Sequence, residues 1–167
     1  MRIAITKGQR QDRIVVSRAD GSGAETHFPH KGPVPHDAVH WFVERELGLA
    51  HGFWGMVASG RHPEEIAEIA KAAGHASAKR AGVPGAEIVE LLQAERLTEC
   101  FEADLWSGGS GAAADLIALA ETACGYSHVP LPALDAAAAE RIRTELGNFA
   151  RGWMAAPQGH VAVLEWE

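Results

Sequence analysis

Much of the chemistry open to this chain is ruled out by what it lacks. Only two cysteines occur, Cys100 and Cys124, far apart and on different predicted helices. Neither has a basic partner close in sequence, so neither is a candidate reactive thiol, and both are expected to be reduced and buried. No lysine- or arginine-rich run offsets the net charge of −7, which argues against nucleic acid or an anionic membrane surface as partner. The longest mostly apolar runs, such as 112–120, are too short and too interrupted to span a bilayer. Met1-Arg2-Ile3-Ala4-Ile5-Thr6-Lys7 turns polar before any signal-peptide core develops, so a cytoplasmic location is expected. Ser59, Ser77, Ser110 and Ser127 have no nucleophile-elbow setting. The glycine-rich stretch 108–111 lacks the lysine and the βαβ frame of a phosphate loop and reads as a linker.

What remains is an ordinary globular composition: 167 residues, 47% apolar and 22% charged. A single domain of this length buries somewhat over two-thirds of its unfolded surface. Histidine is the exception, with nine in the chain and six of them (His27, His30, His36, His40, His51 and His62) close together.

Three short alternating or β-branched segments, 2–6, 13–18 and 24–28, are separated by turn residues at 8–12 and at Asp20-Gly21-Ser22-Gly23. They predict an antiparallel meander over 1–30. Helices are expected at 35–47, 53–58, from Pro63 to a stop at Gly74, at 86–106, at 112–124 with Gly125 as the stop, and at 133–155. The tail 160–166 alternates again and reads as a strand returning to the meander. The expected class is α+β: a small antiparallel sheet, made by the N-terminal meander and the C-terminal strand, packed against five or six helices.

The segment His36-Asp37-Ala38-Val39-His40-Trp41-Phe42-Val43-Glu44 carries the chemistry. At about 100° per residue, with His36 at zero, His40, Val43, Leu47 and Val39 fall at roughly 40°, −20°, 20° and −60°. The two imidazoles thus share an arc with the aliphatic residues that face a core, while Ala38, Trp41 and Arg45 lie opposite. Ionisable groups on such a stripe are costly unless paired or ligated. Histidines at i and i+4 can hold one divalent ion such as zinc between adjacent turns. At least one more ligand must come from elsewhere, and His27, His30, His51, His62, Glu95 and Glu99 are the candidates. Glu95, Glu99 and Glu102 share a helix face at spacings of four and three, a pattern that can complete a metal site. Glu44, whose Cα lies roughly 12 Å along the axis from that of His36, is better suited to orienting His40 or to acid–base work beside a bound water. Asp37 could ligate, hold a histidine, handle protons or favour the helix start. Trp41, Phe42, Phe53, Trp54 and Met56 form either a core or a pocket lining.

The run from His36 to Gly60 resembles a group of small bacterial proteins without assigned activity that share the His-Asp-x-x-His-x-x-x-Glu helix. The His36-Asp37-x-x-His40 core is also similar to the zinc motif of a ubiquinone-biosynthesis family, with Gly52 beside His51 where that family has a glutamate. The His36-Asp37 dyad is similar to that of HD-type phosphohydrolases, which are all-helical; a β-meander precedes the dyad here. Three classes of function stand open. The first is a metal-dependent enzyme, with His36 and His40 as ligands and Asp37 or Glu44 moving protons for hydrolysis or lyase chemistry on a metal-bound water. The second is a module that binds a small molecule or a protein. The third is a scaffold or homo-oligomerisation domain in which the histidines are satisfied core groups.

Overall fold

In the computed structural model, which describes residues 1–73 and 83–167, the meander forms as expected from β1 (Arg2–Thr6), β2 (Gln11–Ser17) and β3 (Gly23–Pro29). β4 (Val161–Glu165) returns to pair with β1, giving a four-stranded antiparallel sheet in the order β3-β2-β1-β4. Period-two alternation sets the register. Ile3 pairs with Val16 on one side and Leu164 on the other, and Ile5 pairs with Ile14. All five of these side chains are buried on the face that meets the helices. Lys7, just past β1, donates to the carbonyls of Trp153 and Ala156 at 2.7 and 2.8 Å. A cation at the negative end of a helix ties the sheet to the chain's last helix.

The helical part comprises α1 (His36–Leu47), α2 (Phe53–Ala58), α3 (Pro63–Ala72), a 3-10 turn at Ala86–Ile88, α4 (Val89–Trp106), α5 (Ala113–Tyr126) and α6 (Ala136–Ala155). The fold is therefore α+β, with six α-helices among the described residues. Among the described residues no helix is long and apolar enough to cross a membrane. α1 ends at Gly48 in the left-handed conformation (φ 64°), as its sequence predicts. α5 runs through Gly125, and the left-handed residue that follows it is His128 (φ 55°), with the Val129 N–H bonded to the Cys124 carbonyl at 3.1 Å. α6 starts three residues later than expected because Asp135 caps it, accepting from the Ala138 N–H at 2.7 Å. Gly74, the expected stop of α3, and Ser77 lie outside the described residues.

Helical spacing predicts Ala38 and Trp41 on the outer side of α1, yet every residue from Ala38 to Glu44 is buried. α1 packs against α2, α4 and α6, so its back is covered as well. α4 is similarly enclosed and joins α1, α5 and α6. These two central helices bring the chemistry together.

Leu97 lies on α4 and is fully buried in the main core. Leu97→Ala is expected to lower the unfolding free energy by about 2–5 kcal/mol. Urea unfolding measures this; a loss below about 1 kcal/mol would mean that α4 is not the packed centre described here.

Candidate metal centre

His36 and His40 lie on successive turns of α1 with ring centroids 4.9 Å apart and planes at 74°. Each ring is gripped at one nitrogen by a carboxylate. The His36 Nδ1–H donates to Glu102 Oε1 at 3.0 Å, and the His40 Nδ1–H donates to Glu44 Oε1 at 2.9 Å. Both Nε2 atoms are thereby turned toward Glu95, which reaches across from α4. Its Oε2 lies 3.7 Å from His36 Nε2 and its Oε1 3.6 Å from His40 Nε2. The ligand atoms of His36, His40 and Glu95 all fall within 4.8 Å of one another, a grouping that could hold a metal ion.

The distances have a chemical meaning. Spacings of 3.6–3.7 Å are too long for good hydrogen bonds. They are close to the ~3.4 Å that separates two donors sharing one tetrahedral ion at 2.0–2.2 Å from each. His36 Nε2 is also buried without a hydrogen-bond partner. Burial works against a charged His36, but Glu102 and Glu95 outweigh it and raise its pKa, so this nitrogen can be served by a proton facing Glu95 or by a metal ion. Carboxylates on the far nitrogens of metal-binding imidazoles fix the tautomer and the ring plane, as Glu102 and Glu44 do here. Two imidazoles and one carboxylate are a donor set that could hold a divalent ion.

Glu44, Glu95 and Glu102 are all buried, three carboxyl groups around two imidazoles. In the metal-free protein, burial disfavours the His40 imidazolium, yet Glu95 and Glu44 outweigh it and push the pKa up to about 10. Burial likewise works against a charged Glu95, but His40 and His36 hold its carboxyl well below the usual range. Burial raises the carboxyls of Glu44 and Asp37.

Glu44 is the structural pivot. Besides His40 it accepts the Phe53 N–H at 3.0 Å and the Trp54 N–H at 2.8 Å, which seats the start of α2 on α1. Trp54 Nε1 donates to the Asp37 carbonyl at 2.7 Å, pinning α2 to the first turn of α1 as well. Glu44 thus has both oxygens engaged, one of them on the Nδ1 side of His40, where it is placed to orient that ring. Asp37 is half-buried and lines a cavity of about 160 Å³ together with Phe28, Lys31, His36, His40 and Glu95.

Of the other ligand candidates only Glu95 joins. His27 is exposed on β3, and His30 bonds Asp12 at 2.9 Å. His51 is exposed beside Glu90, and His62 caps α3. Glu99 leaves the acidic face expected for it, is exposed and pairs with Arg96 at 2.9 Å. Glu102 enters as the partner of His36, a role that spacing alone did not assign. A larger groove of about 620 Å³ runs between Trp41, Arg45 and the end of β4. Its Arg45 and Glu165 are already paired, with Glu145 and Arg2. Compared with protein-family models, curated proteins and solved structures, the chain finds no match.

Gly52 adjoins this pivot: a Cβ there would lie 2.5 Å from Glu44 Oε2. Its φ of −70° suits any residue, so Gly52→Ala acts through that collision alone. The variant is expected to lose about 1–3 kcal/mol of stability by overpacking and to shift the ring resonances of His40 in an NMR pH titration. Wild-type stability together with unmoved His40 signals would refute the role given to Glu44.

Proposed function

We propose that this protein is a divalent-metal-dependent enzyme, with zinc the foremost candidate ion and His36, His40 and Glu95 as ligands. The convergence of three buried donors, at spacings too long for mutual hydrogen bonding, carries this reading. A bound zinc ion would bring the pKa of a coordinated water toward ~7, which suits hydrolysis or lyase chemistry. Asp37, on the cavity wall beside His36 and with its carboxyl raised by burial, is the group suited to take up and return a proton. Glu102 and Glu44 keep both Nε2 lone pairs aimed inward. Phe28 and Phe53, on the same cavity, limit the access of water.

A second reading draws on the raised pKa of His40. In it, the ring is a permanent imidazolium clasped by Glu44 and Glu95, and the domain is a binding or oligomerisation module without metal.

Metal analysis of untagged protein separates the two. The first reading expects one zinc, manganese or iron per chain, lost in a folded His36→Ala/His40→Ala variant and in Glu95→Gln. Glu44→Gln should weaken metal affinity by about 10–100-fold. Wild-type protein that takes up none of these ions would leave only the second reading.

The pH dependence has a definite sign. Because, against burial, Glu95 and Glu44 push the His40 pKa up to about 10, an ion bound at its Nε2 would have to displace a proton. Apparent affinity should therefore rise with pH, by about tenfold per unit for each proton displaced. Titration calorimetry in buffers of different ionisation heat measures that release; affinity flat between pH 6 and pH 8 would contradict it.

A further inference from the structure

Resting on the metal-centre reading, we propose that the cavity beside His36 and His40 receives a small 2-hydroxy carboxylic acid. Its carboxylate would face Lys31 and its hydroxyl would lie between Asp37 and the metal position.

Size comes first. About 160 Å³ is close to the ~150 Å³ known to admit benzene in an engineered cavity, so the occupant has on the order of six or seven non-hydrogen atoms. The walls supply the next constraint. Phe28, Pro29, Phe53 and Ala67 are apolar, and the Phe28 and Phe53 rings lie 6.3 Å apart. They suit a short hydrocarbon body.

The polar groups are few and of distinct kinds. Lys31 lines the cavity and makes no hydrogen bond or ion pair among the described residues. His36 and Asp37, at the positive end of α1, border the same space, with Pro35 at the N-cap and no side chain capping it.

Phosphate has no hydrocarbon part to set against Phe28, Pro29, Phe53 and Ala67, whereas a short hydroxy acid does. With the acid's carboxylate at Lys31, Asp37 is placed to accept a hydrogen bond from the neighbouring hydroxyl. A hydroxyl adjacent to a carboxylate also presents two oxygens to one ion, matching the coordination positions the protein leaves free.

The test uses full-length protein loaded with zinc or manganese, with metal content measured on every sample. Calorimetric titrations compare 2-hydroxybutyrate, 2-hydroxybutanamide, butyrate and inorganic phosphate. The hydroxy acid is expected to bind at least about tenfold more tightly than each of the others. Lys31→Gln should remove its advantage over the amide, and Asp37→Asn its advantage over butyrate. Neither change should alter metal stoichiometry or thermal stability appreciably. Equal binding of acid and amide, tighter binding of phosphate, or an unchanged Lys31→Gln profile on metal-loaded protein would overturn this proposal while leaving the metal centre standing. If wild-type protein retains no metal, the metal centre fails and this assignment falls with it.

Discussion

A carboxylate fully withdrawn from water organises this molecule. Glu44 is entirely buried, and its oxygens serve three partners: the His40 ring and the first two amides of α2. An isolated carboxylate so placed would be prohibitively costly. Supplied with three donors, it joins two helices and holds an imidazole in one tautomer. α2 has only six residues, too few to be stable alone, and is held by Glu44 and by the bond from Trp54 to the Asp37 carbonyl.

The second organising relation lies between α1 and α4. One helix supplies imidazoles four residues apart, and the other supplies carboxylates seven apart, so each pair shares a face. Glu95 and Glu102 bracket His36, and Glu44 and Glu95 bracket His40. Both helices are buried nearly all round, which fixes their rotation. Rigid elements of this kind hold side chains more closely than loops do.

Much of this was legible in the sequence. Alternation exposed the strands, including the returning β4, and helical spacing put both histidines on one inward arc. Glycine and proline marked most helix ends. What escaped detection was long-range. Spacing along α1 suggests an outer side at Ala38 and Trp41 because nothing local announces that α6 also packs against this helix, with Phe149 against Phe42. Glu95, Glu99 and Glu102 fall within about 60° of one another on α4, and only the final rotation of that helix decides that Glu99 leaves while the other two enter. Glu44 was correctly seen as close to His40. Its two further bonds depend on a tight approach by Gly52 and α2, which spacing along one helix cannot reveal.

The two histidines are not equivalent in their access to solvent. His40 is sealed behind Glu44 and Phe53, whereas His36 stands at the half-open first turn, beside Lys31 and Phe28. Among the described residues both rings border the same cavity, but His36 is the less deeply buried of the two. A species entering from that side would meet the outer ring before the inner one.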